Sequence, residues 1–153
     1  KQQWFKNTIF IITADHTCGT RYEKKYKNKI GKYAIPMLIF KGDNSLQGRK
    51  KNIVQQIDIL PTTLELLGYN KPFFAFGKSM LSDESWALSY LQNNYSLITE
   101  NGILINKGEH YQLFEDWNLT KVLQVKEEDL KKLKAIKQSY NQRMINNKLM
   151  YEN

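Results

Sequence analysis

Residues 8–17, Thr-Ile-Phe-Ile-Ile-Thr-Ala-Asp-His-Thr, form an apolar run that stops abruptly on an adjacent carboxylate and imidazole. Ile9 to Ile12 are consecutive apolar residues, three β-branched and one aromatic, and they predict a short strand buried on both faces of a sheet. In an open α/β sheet, ligands gather just beyond the carboxyl ends of the strands, which is where Asp15 and His16 fall. A carboxylate oxygen and an imidazole nitrogen are ordinary ligands for Zn²⁺ or Mn²⁺, and a rigid strand end holds them at a fixed angle. Two residues make only part of such a site, because these ions take three or more protein ligands. An Asx turn or a helix N-cap beside a surface histidine accounts for the same dipeptide without any metal. Cys18 offers a thiolate nearby, but a lone cysteine is more often a small buried hydrophobe, and that is the expectation adopted for it.

The charge is unevenly spread. Residues 1–51 hold 12 Lys/Arg against 3 Asp/Glu, a net of +9, whereas residues 52–153 hold 11 against 12, a net of −1. Much of the excess follows the Asp-His pair, where Arg21, Lys24, Lys25, Lys27, Lys29 and Lys32 alternate with Tyr22, Tyr26 and Tyr33. A basic loop beside candidate metal ligands raises the local concentration of an anionic substrate, and Arg21, Lys24 and Lys25 are the candidate substrate contacts. A solvated lysine-rich loop is the alternative. Basic residues interleaved with aromatics also suit nucleic acid, but no helix-turn-helix, finger or RNP motif accompanies them, and that partner is disfavoured.

The remaining composition sets outer bounds. With 41% hydrophobic and 12% aromatic residues the chain is too apolar for disorder, and its 153 residues make one domain with a substantial core. No apolar run reaches the length of a membrane helix. Lys1-Gln2-Gln3-Trp4 leads into the first strand without the apolar region of a signal peptide, so none is expected in these residues. The single cysteine excludes an intramolecular disulfide and leaves the compartment open.

Along the chain, residues 34–40 predict a second strand with Pro36 near its start, closed by the turn Lys41-Gly42-Asp43-Asn44. Asp58 as N-cap, Pro61 in the first turn and Gly68 at the end predict a helix over 59–67, with Leu60, Leu64 and Leu67 as its apolar face. Residues 69–82 are expected to be an ordered loop packed by its own aromatic rings. Short runs at 95–100, 102–106, 110–114 and 120–124, separated by turn residues, predict an antiparallel meander with Asn101-Gly102 as a two-residue hairpin turn. His110 falls in it, with a surface or cross-strand role expected. Glu127-Glu128-Asp129 opens a final helix running to about residue 147, with Leu130, Leu133, Ile136 or Lys137, Tyr140 and Met144 along its stripe. The order is α/β at the front and α+β at the rear. A strand buried on both faces needs neighbours that two front strands and one helix scarcely supply, so the chain is expected to be the C-terminal part of a larger domain.

With these residues in view, the chain resembles the sulfatase-like branch of the alkaline phosphatase superfamily, and within it the lipoteichoic acid synthases and phosphoethanolamine transferases. The resemblance rests on Trp4-Phe5-Lys6-Asn7-Thr8 leading into Ile11-Ile12-Thr13-Ala14-Asp15-His16, on Tyr33-Ala34-Ile35-Pro36-Met37-Leu38, and on Gln56-Ile57-Asp58-Ile59-Leu60-Pro61-Thr62 with Leu66-Leu67-Gly68-Tyr69. Phe76-Gly77-Lys78-Ser79-Met80-Leu81 continues it. It implies the C-terminal portion of an alkaline phosphatase-like sheet with flanking helices, followed by the meander and final helix. Residues 1–82 would then be part of the catalytic domain, and residues 83–153 the meander and helix of that same domain.

The resemblance also implies that Asp15 and His16 bind one catalytic divalent ion, Mn²⁺ or Zn²⁺. The other ligands and a threonine nucleophile would lie upstream. The activity implied is transfer of phosphoglycerol or phosphoethanolamine from a phospholipid through a covalent intermediate on that threonine, at the extracytoplasmic face of a bacterial membrane. Upstream transmembrane helices would anchor the enzyme. Its partners would be an anionic phospholipid headgroup or envelope glycan and the N-terminal remainder of the catalytic domain. The motifs at 33–38 and 56–69 are assigned structural roles. Cys18-Gly19-Thr20-Arg21 lacks the proline and spacing of a formylglycine signature, and no threonine here occupies the family's nucleophile context, so the chain is expected to be catalytically incomplete. The chain alone is expected to be inactive. A sulfatase or phosphodiesterase of the same superfamily, and a non-catalytic polyanion-binding module, are the competing readings.

Overall fold

The computed structural model describes residues 2–18 and 23–151. They fall into two compact units, Lys1–Lys51 and Asn52–Asn153, a division that coincides with the change in net charge. Among the described residues no helix is long and apolar enough to cross a membrane.

In the first unit a 3₁₀ turn at Gln3–Asn7 leads into β1 (Ile9–Thr13), and β2 (Met37–Lys41) returns antiparallel beside it. Ile9 pairs with Lys41 and Thr13 with Met37. Phe10 and Phe40 lie directly opposite and stack with centroids 4.7 Å apart, and Phe5 and Trp4 extend the ring cluster. β2 starts later than expected because Gly31–Tyr33 forms a 3₁₀ turn and Pro36 precedes the ladder, as its missing N–H requires. After β2, the Lys41 ammonium and both donors of Ser45 hold the Asp43 carboxyl well below the usual carboxylate range and fix the turn.

The expected burial of β1 on both faces is not what this chain provides. No residue of β1 is fully buried and Ile12 is 53% exposed. Among the described residues β1 and β2 make a two-stranded ribbon, which has no second layer of its own to cover either face.

The second unit begins with a 3₁₀ turn at Gln56–Asp58 that runs into α1 (Ile59–Leu66), with Gly68 following at a φ of +70°. Two expectations for this helix are corrected. Asp58 does not cap it through its side chain; the carboxylate instead accepts the Gln55 N–H and both the backbone N–H and the ammonium of Lys78. Leu60 and Leu67 are not the buried face, being 54% and 67% exposed, whereas Pro61 and Thr62 are buried. The inward side is selected by polar contacts: Thr62 Oγ1 donates to the Asp58 carbonyl and accepts the Met80 N–H.

The loop at 69–82 is ordered by its rings, with Phe74 and Phe76 edge to face at 4.9 Å and Tyr69 against Phe73. It is also pinned to the turn before α1. A Cβ on Gly77 would fall 2.1 Å from the Ile57 carbonyl oxygen, so only glycine permits this approach. The motifs at 56–62 and 76–81 therefore form a single brace.

Five strands follow as a meander: β3 (Trp86–Leu91), β4 (Asn94–Thr99), β5 (Gly102–Lys107), β6 (His110–Phe114) and β7 (Val122–Leu123). β3 escaped the sequence reading because its hairpin turn uses Gln92 and Asn93 at positive φ, with no glycine or proline to mark it. The β4–β5 turn is centred on Glu100-Asn101 rather than Asn101-Gly102, since Thr99 pairs with Gly102. Leu88, Leu97, Leu104, Leu113 and Leu123 are successive partners across all five strands, so one face carries a row of leucines.

The final helix, α2 (Glu127–Ile145), packs Leu133 against that row, in a core with Trp86, Leu97, Leu104 and Leu113. Its flanks add cations over rings: Lys132 over Trp86, Lys134 over Tyr111, and Lys137 over Tyr95 with its ammonium 2.9 Å from Asn106 Oδ1. The acids of its first turn hold the β4–β5 turn, with Asp129 accepting from Thr99 and Asn101. The apolar stripe continues beyond the core, leaving Tyr140 and Met144 half exposed. His110 is exposed at a hairpin end.

Candidate metal centre

β1 delivers its last paired residue, Thr13, to the end of the ribbon, and the Thr13 hydroxyl donates to the Pro36 carbonyl at 3.2 Å, holding both strands together there. The chain then bends. Asp15 and His16 sit in that bend, separated from the strand by Ala14, with side chains 84% and 60% exposed. The Asp15 carboxylate turns back on its neighbour: Oδ1 accepts the His16 backbone N–H at 2.9 Å, leaving Oδ2 3.3 Å from His16 Nε2. On the other side of the ring, Nδ1 lies 2.8 Å from the Thr17 carbonyl oxygen. A carbonyl can only accept, so Nδ1 is the donor in that contact, and Nε2 is the nitrogen that faces Oδ2.

This donor set fits a divalent ion. Two ligand atoms on a tetrahedral zinc stand about 3.4 Å apart at ordinary bond lengths, close to the observed separation. A histidine whose other nitrogen donates to a backbone carbonyl is the usual arrangement of a metal-bound imidazole. The set is nonetheless partial: among the described residues no three His, Cys, Asp or Glu side chains form a cluster able to hold a metal. Cys18 is exposed, correcting the expectation of a small buried hydrophobe; it lies in the same irregular segment, outside any strand or helix.

The basic residues are arranged unequally. Lys24 and Lys25 lie in a 3₁₀ turn at Lys24–Tyr26, and Arg21 lies outside the described residues. Lys25 pairs with Glu23 at 2.9 Å and stands over the Tyr26 ring. The hydrogen bond that the Lys25 ammonium donates to Glu23, aided by the carboxylate's charge, raises the Lys25 pKa. Lys32 stands similarly over Tyr33. Residues 24–33 form a second, basic bend fixed by Asn28, whose Oδ1 accepts the N–H groups of Ile30 and Gly31 while its amide donates to the Lys25 carbonyl.

Sequence reasoning missed the joint between the bend and the ligand pair. Thr17 donates both its N–H and its hydroxyl to the Lys32 carbonyl, at 2.9 and 3.0 Å. The only local signal was a β-branched hydroxyl residue following the histidine.

Comparison with known proteins shows what the chain is similar to. Residues 1–69, which carry β1, the Asp-His pair and α1, match the family model described as Sulfatase. Two curated relatives are each described as Phosphoglycerol transferase I. The one from Citrobacter koseri is 27% identical over 95 residues, covering 62% of this chain, and the one from Escherichia fergusonii is 30% identical over 88 residues, covering 58%. The chain spans only about a tenth of their length, 12% and 11%. A solved structure of a protein in the alkaline phosphatase superfamily from Vibrio parahaemolyticus superposes with a TM-score of 0.76 at 24% identity, over 98% of this chain and 38% of that one.

Proposed function

We propose, for a sulfatase-like chain with the alkaline phosphatase superfamily fold, that Asp15 and His16 supply two ligands to one divalent ion in an enzyme transferring phosphoglycerol from a lipid donor. The observation that carries this reading is the paired presentation of Nε2 and Oδ2, 3.3 Å apart, with Nδ1 tied to a carbonyl. The two relatives described as phosphoglycerol transferases favour phosphoglycerol over phosphoethanolamine as the transferred group. Bound there, Mn²⁺ or Zn²⁺ stabilises negative charge gathering on phosphoryl oxygens. Asp15 contributes charge and His16 a fixed neutral donor. Lys24 and Lys25 draw the anionic headgroup toward the pair. A threonine and further ligands outside residues 1–153 complete the site, at the extracytoplasmic face of the membrane.

The Sulfatase match favours one competing reading, hydrolysis of a sulfate ester by an ion on the same ligand pair. An assay of the full-length protein separates them. Supplied with a phosphoglycerol-bearing lipid and, separately, an aryl sulfate, it should transfer phosphoglycerol, lose that activity to a chelator and regain it with Mn²⁺ or Zn²⁺. Sulfate release without transfer would establish the competing reading instead.

Substrate attraction has its own test. Reversing Lys24, Lys25 and Lys27 to glutamate should raise KM for lipid in anionic vesicles about tenfold or more at low salt, since each cation near such a surface is worth about 1 kcal/mol. The difference should shrink as salt shortens the screening length. An unchanged KM at low salt would remove these lysines from substrate binding.

A further inference from the structure

Thr17 stands between two features of unequal rigidity. On one side is His16, whose imidazole is largely exposed and meets the still more exposed Asp15 carboxylate. On the other is a bend that cannot easily move. A Cβ on Gly31 would lie 1.5 Å from the Lys25 carbonyl oxygen, Asn28 Oδ1 holds two of its N–H groups, and Ile30 is buried. Thr17 is half-buried and bonded to both. Its carbonyl receives the Nδ1 proton, and its N–H and hydroxyl close on Lys32. An exposed ring that gives its Nδ1 proton to a backbone carbonyl is only as well oriented as the residue bearing that carbonyl, and Thr17 is held by its two bonds to Lys32.

We infer that Thr17 is the positioning residue for the ligating nitrogen of His16, anchoring the metal pair to the basic bend through its hydroxyl. The inference rests on the metal reading of Asp15 and His16. Outer-shell partners of metal-bound histidines change metal affinity about 10- to 100-fold when removed. Loss of one of two anchoring bonds belongs at the lower end of that range.

The test is a metal titration of the full-length protein by competition with a chromogenic chelator, with Zn²⁺ and with Mn²⁺, alongside the Tm of the metal-free protein. Thr17→Val keeps the branched shape and removes the hydroxyl; it should weaken affinity about tenfold, and Thr17→Ser should restore it to within about twofold. The metal-free Tm should stay near that of the parent in both variants. Asp15→Ala serves as the control for the metal reading and should bind no metal at this site. If Asp15→Ala loses the metal while Thr17→Val binds it as tightly as the parent, the positioning role is wrong and the metal reading stands. Equal losses in the valine and serine variants also overturn that role. If Asp15→Ala retains full affinity, the metal reading has failed and takes the inference with it.

Discussion

Replacing Asp15 with alanine in the full-length enzyme is expected to abolish both metal retention and transfer, while leaving the fold intact. The side chain is 84% exposed and, among the described residues, its polar contacts are with His16, so its removal disturbs little packing. What it removes is the charged member of a two-ligand set and the acceptor that holds the His16 N–H. Loss of even an outer-shell partner costs about 10- to 100-fold, so loss of a direct ligand should exceed a hundredfold in activity at limiting metal. Metal content by elemental analysis and kcat/KM measured together check it. A variant that keeps both would remove Asp15 from the site.

Lys78→Ala should be the most destabilising single change at a polar position. Asp58 is fully buried and the Lys78 side chain is only 8% exposed, with Nζ 2.9 Å from Asp58 Oδ2 and 3.0 Å from the Trp86 carbonyl oxygen. The ammonium also stands over the Trp86 ring. Removing it strands a carboxylate with no opposing charge, and breaking a buried pair in this way costs about 3–5 kcal/mol. Replacing both partners, as Asp58→Leu with Lys78→Met, should cost less than Lys78→Ala alone, because no charge is then left behind. Urea denaturation of the three proteins checks both statements; a loss below about 1 kcal/mol for Lys78→Ala would place that pair among solvent-screened surface bridges.

The two predictions differ in how far the sequence announced them. The position of Asp15 and His16 just past a strand was legible because an apolar run ends where polar side chains begin, and nothing distant is needed to place them. The Asp58–Lys78 pair was not, since the partners are 20 residues apart and Lys78 sits in a loop whose visible signal was aromatic. For α1 the periodicity misled. Leucine spacing named one face, but the hydroxyl of Thr62, bonded to the Asp58 carbonyl and the Met80 N–H, turned the other face inward. The meander and α2 were mostly legible, because alternation and caps are local properties, and β3 was lost only where asparagine and glutamine did a glycine's work in the turn. Thr17 shows a different limit. Its importance comes from Lys32, 15 residues away, and from a glycine that lets the bend close.

The row formed by Leu88, Leu97, Leu104, Leu113 and Leu123 stores the alignment of the sheet redundantly. Each strand alternates its side chains with a period of two, so displacing any one by a single residue would carry its leucine to the opposite face. The error would be felt by neighbours on both sides and by Leu133 above them. Hairpins joined by short turns offer many nearly equivalent ways to slide, and this parity check distinguishes the correct one from its nearest rivals. The second unit thus carries its own proofreading, written in one residue type, and a misaligned meander would betray itself by an uncovered leucine.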